Sequence, residues 1–138
     1  MAFQCSAGCW GGRNPDYLVV THMEPDHSGS LMRLAQKYPE MKIVGNAKTF
    51  TLIKQFFGTG ALSEGRMLEV GEGNTLSLGA HRLRFLLAPM VHWPEVMTAY
   101  EETEKNPVLG GCLRTLWLTG TDCPCPLGAA GPTVLLQY

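Results

Sequence analysis

The segment "YLVV", from Tyr17 to Val20, follows Asn14-Pro15 as a β-branched and aromatic run, and it predicts a short buried strand. Polar residues then take over through "THMEPDHSGS" before apolar spacing returns in "LMRLAQK". Ser28 or Ser30 is placed to cap a helix carrying Leu31, Leu34 and Ala35 on one face, with Pro39 near its end. "KIVG" predicts a second strand. Asn46 is placed to cap "AKTFTLIKQFFG", where Phe50, Ile53, Phe56 and Phe57 recur at helical spacing before Gly58. The pattern is two βα units, with a loop from His22 to Gly29 joining the first strand to its helix.

After Gly65 the period becomes two. "MLEV", "TLSLG" and "HRLRFLLAP" predict antiparallel strands, with Gly71 to Asn74 as a turn. The last of them delivers Pro89, Met90 and Val91 to His92, and "VMTAYEE" supplies one more strand. Beyond Lys105 the chain is rich in Gly, Pro and Cys without sustained period, so low order is expected there, with "TVLLQY" at best a short strand. The fold class is α/β (α+β).

Length and composition narrow this picture. The 138 residues, 45% hydrophobic and 17% charged, suit one domain with a real core. Lys and Arg number 11 against 12 Asp and Glu, so no basic field exists to attract nucleic acid or an anionic membrane. No apolar stretch approaches the ~20 residues of a bilayer span, and a signal-peptide pattern is absent, which points to the cytoplasm. The five cysteines are Cys5, Cys9, Cys112, Cys123 and Cys125, none of them between Gly11 and Gly111. One-residue spacing across Pro124 suits zinc poorly, so they read as free thiols.

The chemistry concentrates just after the first strand. In His-x-Glu-x-Asp-His, residues alternate along an extended or turning loop, so His22, Glu24 and Asp26 can point one way while His27 follows from the next turn. Each residue alone fits a solvated loop, with one acid capping the next helix. Four together behind a buried strand favour a metal site. Two carboxylates among four donors favour a hard, redox-capable ion, which puts iron ahead of manganese and zinc. His92 is a candidate fifth ligand, although it could equally be a packed wall residue between Val91 and Trp93.

The stretches "HMEPDHSGSL", "IVGNAKTF", "IKQFFG", "LEVGEGNTLSLG" and "LRFLLAPMVHWPEVM" resemble the metallo-β-lactamase-type domain of the flavodiiron proteins, or A-type flavoproteins. The resemblance covers Arg13 to Lys105. Hydrolases of the superfamily usually carry His-x-His-x-Asp-His, and Glu24 in place of the second histidine marks the flavodiiron branch. The resemblance implies a partial metallo-β-lactamase-like αββα sandwich and a di-iron centre reducing dioxygen to water or nitric oxide to nitrous oxide. It implies that His22, Glu24 and His92 bind one iron, and Asp26 and His27 the other. It further implies FMN in a following flavodoxin-like domain, which these residues do not include, rubredoxin-like or flavin electron donors, and head-to-tail homodimers.

The family also needs a bridging carboxylate, in a stretch like Ser-Ala-Asp-Ala-Phe-Gly, and a further histidine; neither follows Lys105. Read one nucleotide later, the codons for Asn106 to Arg114 permit Ile-Leu-Phe-Ser-Ala-Asp-Ala-Phe-Gly, with the Asp spanning the codons of Gly111 and Cys112. The expectation is therefore a disordered, non-family leader at 1–12, a partial domain at 13–105, and a non-family Gly/Pro/Cys-rich tail at 106–138, with both ends read out of frame. Five ligands for two octahedral ions, which need about twelve positions, predict at most weak binding of one metal and an inactive fragment. Half a sandwich would also expose an apolar sheet face. The alternatives are a metal-dependent hydrolase of the superfamily, which Glu24 argues against, and a non-functional frameshifted product.

Overall fold

The computed structural model describes residues 14–103, 105–108 and 134–137, without the side chains of His27, residues 106–108 and residues 135–137. Strand β1 (Tyr17–Val20) leads to a one-turn helix α1 (Pro25–Ser28) and then to α2 (Leu31–Lys37). Strand β2 (Lys42–Gly45) and helix α3 (Ala47–Phe57) form the second βα unit, and a short 3-10 turn at Glu64–Arg66 leads into β3 (Met67–Glu69). Strands β4 (Thr75–Leu78), β5 (His81–Leu87), β6 (Met97–Glu101) and β7 (Asn106–Val108) follow, and β8 (Val134–Gln137) lies near the end of the chain.

These strands form two sheets. The first is parallel in the order β3-β2-β1-β8, and the second is antiparallel in the order β4-β5-β6-β7. β1 is apolar without interruption because it is covered on both faces. Leu18 and Val20 pack with Leu31, Ala35, Phe50 and Ile53 of the helices, whereas Val19 packs with Leu83, Phe85 and Met97 of the second sheet. The layers are thus helices, first sheet, second sheet, in agreement with a partial αββα sandwich.

Local chemistry sets the helix ends. The Asn46 side chain accepts from Thr49 N–H at 3.0 Å and caps α3, as the sequence predicts. Gly45 lets that first turn approach, since a Cβ there would meet Thr49 Cγ2 at 2.8 Å. Gly58 ends the helix with φ of 93°, a conformation glycine adopts without steric cost. The serine cap expected for α2 does not form. Ser30 holds the N-cap place with a helical backbone (φ −90°, ψ −10°) instead of the extended one that turns a hydroxyl onto the first amides, and Ser28 is the last residue of α1. Arg66 instead ties the far end of α2, donating to the carbonyls of Ala35, Tyr38 and Met41 at 3.0 Å each.

Two expectations need correction. Period-two alternation places "MLEV" among the antiparallel strands, but β3 runs parallel to β2, because α3 carries the chain back to the same end of the first sheet. Alternation reports which residues are buried, not which partner strand buries them. Among the described residues the outer face of the second sheet is mixed and not uniformly apolar: β5 buries Leu83 and Phe85 inward and exposes Arg82, Arg84 and Leu86. The stretch after Lys105 supplies β7 against β6 and β8 in parallel against β1, and the expectation of low order between them lies outside the described residues.

Candidate metal centre

His22 stands two residues past β1, where the strand has just left its sheet. Thr21 C=O there accepts from Met97 N–H at 3.0 Å, which pins the end of β1 to the start of β6. That bond brings the loop from Ala88 to Val96 over the loop that begins at His22. His92 sits in this second loop with φ of 55°, and Met90 has φ of 65°. A left-handed backbone is uncommon for a residue with a Cβ, and such residues cluster at functional sites in proteins.

The result is a three-residue cluster. One oxygen, Glu24 Oε2, lies 3.2 Å from His22 Nε2 and 3.3 Å from His92 Nε2. The two imidazole rings meet edge to face at 4.7 Å between centroids, and Trp93 walls His22 at 5.5 Å. One potential ligand atom from each of His22, Glu24 and His92 falls within 4.8 Å of the others. His22 is 1% exposed, against 36% for Glu24 and 48% for His92, so the group has a buried base and an open mouth. Hydrogen bonding from His92, and then from His22, holds the Glu24 carboxyl below the usual carboxylate range.

Of the residues singled out from sequence, His22, Glu24 and His92 come together. Asp26 does not join this group. It lies exposed in α1, which begins at Pro25, so the alternating loop stops at Glu24. His27 is in the same helix turn, and its side chain is outside the described residues.

Sequence reasoning missed Glu95. This fully buried carboxylate receives His22 Nδ1 at 2.8 Å and Met23 N–H at 2.9 Å on the same oxygen, Oε1. Its backbone carbonyl accepts from Asn46 Nδ2 at 2.7 Å. The only sequence signal was a charged residue three positions after His92 in an apolar context, in "HWPEVM".

Two imidazoles and a carboxylate converging, with a buried carboxylate behind the innermost imidazole, fit the requirements of a transition-metal ion in both the donors and their support. The layers and this donor set define a metallo-β-lactamase-like protein. More narrowly, the chain belongs to the ODP family of beta lactamases, whose profile matches residues 10–110.

The relatives narrow the family further. The chain is 34% identical over 91 residues to the flavo-diiron protein FprA2 of Clostridium acetobutylicum, covering 65% of this chain and 22% of that protein. It is 35% identical over 88 residues to the coenzyme F420H(2) oxidase of Methanothermobacter marburgensis, covering 63% and 21%. Among solved structures, rubredoxin oxygen:oxidoreductase from Desulfovibrio gigas superposes with a TM-score of 0.56 at 31% identity, over 62% of this chain and 21% of that one. The resemblance to flavodiiron proteins therefore holds. The chain spans about a fifth of the length of these relatives. Among the described residues no helix is long and apolar enough to cross a membrane.

Proposed function

We propose that this chain carries one half of a flavodiiron-type metal centre, binds a single iron weakly, and does not reduce dioxygen or nitric oxide by itself. His22, Glu24 and His92 would hold that iron, and Asp26 and His27 would be donors to a second. The observation that supports this most is the convergence of the three donor groups within 4.8 Å. In a working centre, bound iron would hold the substrate and pass on electrons received from the donor.

The chain's own residues provide the geometry. The buried His22 ring is held from behind, Glu24 sits between the two imidazoles, and the exposed His92 closes the open side. The carboxylate supplies negative charge that offsets the cation in a partly desolvated site. The bridging carboxylate and the further histidine of the family have no counterpart in the sequence after Lys105, which is the reason for expecting one weak site. The same reading makes residues 13–105 the family core of a cytoplasmic protein. A rubredoxin-like or flavin electron donor, FMN and a homodimer enter the same proposal as properties of the family.

The test is anaerobic reconstitution with ferrous iron, followed by desalting, metal analysis, and measurement of dioxygen and nitric oxide consumption with a chemical reductant. The expected result is at most one iron per chain and no consumption above that of free iron. Two irons with turnover would overturn the proposal of inactivity, and no uptake at all would overturn the metal site.

A further inference from the structure

Burying a carboxylate completely is costly unless its oxygens are satisfied, so a residue such as Glu95 calls for a reason. Two donors converge on one of its oxygens. A carboxylate oxygen that already takes Met23 N–H at 2.9 Å can only accept again, so the 2.8 Å contact with His22 requires the imidazole to donate from Nδ1. With that proton on Nδ1, the lone pair of the neutral ring lies on Nε2, which faces Glu24 at 3.2 Å. Glu95 is itself held at both ends. Its carboxylate is fixed by the chain just after β1, and its carbonyl by Asn46, the cap of α3.

We propose that Glu95 is the positioning residue of this metal site: it selects the His22 tautomer that presents Nε2 to a cation beside Glu24, and it fixes the rotation of the ring. The inference rests on the metal reading of His22, Glu24 and His92. Its place in the chain is also informative. Glu95 belongs to the same loop as His92, so one loop supplies both an outer donor and the support of the inner one, across 73 residues from His22. The loop could not shift to move His92 without disturbing His22.

The experiment uses the full chain, with Zn2+ as a diamagnetic probe. Affinity is measured by competition with a chromophoric chelator, and the His22 ring is observed by proton–nitrogen NMR. Glu95→Gln keeps the shape and an acceptor oxygen for Met23 N–H but removes the charge, so the imidazole proton is held on Nδ1 by a weaker, neutral hydrogen bond. We expect it to weaken Zn2+ binding about 10- to 100-fold and to shift or broaden the His22 Nδ1–H resonance. Glu101→Gln is the control for structural damage. Glu101 is an equally buried carboxylate that takes the Arg82 and Thr103 N–H groups in the second sheet, and its loss should leave metal affinity unchanged.

Equal affinity in wild type and Glu95→Gln, or equal loss in Glu95→Gln and Glu101→Gln, overturns the inference and leaves the metal site standing. No Zn2+ uptake by the wild type overturns both. If Glu95→Gln does not fold, the Zn2+-loaded wild type decides: a His22 proton on Nδ1 supports the inference, and one on Nε2 overturns it.

Discussion

His92 Nε2 lies 3.3 Å from Glu24 Oε2, although 68 residues separate the two in the chain. The contact joins the loop after β1 to the loop before β6, and it makes Glu24 the shared neighbour of both imidazoles. We predict that Glu24→Gln, which keeps the shape and removes the charge, lowers ferrous iron affinity more than about tenfold. Equilibrium dialysis under anaerobic conditions measures it.

Acid should act on the metal-free protein through the same carboxylate. Glu24 is held below the usual carboxylate range chiefly by His92 and then by His22. A group with a depressed folded pKa contributes stability that is present above its unfolded pKa and lost as pH falls through the folded one. The urea midpoint of the wild type should therefore fall with pH through and below the ordinary carboxylate range. Glu24→Gln should flatten that limb, and an unchanged slope would refute the coupling.

Asn46 serves two purposes, capping α3 through its oxygen and holding Glu95 through its nitrogen. Asn46→Ala should cost about 1–3 kcal/mol, combining the lost cap with an unpaired buried carbonyl. Asn46→Asp retains a capping oxygen and loses the donor, so it should recover helix stability but not metal affinity. Chemical denaturation and metal titration on the same samples separate the two.

Backbone strain at His92 predicts a trade between stability and function. With φ at 55°, His92→Gly should stabilise the metal-free chain by about 1 kcal/mol while weakening metal binding. A thermal melt with and without metal reports both effects. A destabilised glycine variant would show that the His92 side chain, not its backbone, governs the loop.

The expectation that residues 106–138 are read out of frame makes a prediction about DNA. The nucleotides encoding residues 106–114 should read Ile-Leu-Phe-Ser-Ala-Asp-Ala-Phe-Gly one position later. Sequencing this region checks it directly, and codons that cannot encode that peptide in any frame exclude the idea.

Element types were legible where the period was strong. Leu18 to Val20, Phe50 with Ile53, and Leu83 with Phe85 all lie buried as their spacing required. The α2 cap failed because a serine in the right place says nothing of the backbone angles it will adopt. The parallel pairing of β3 was not legible because a three-residue strand carries no record of its partner.

His22 and Glu24 were visible as a pair because two positions of extended chain suffice to bring them together, and that much the sequence determined by itself. Asp26 lies in the helix turn that begins at Pro25, outside the group of three. Only the tertiary structure decided that His92 meets Glu24 and that Glu95 stands behind His22, because charged and hydrogen-bonding groups act over a few ångströms. Those distances are set by the Thr21–Met97 bond that joins the two sheets.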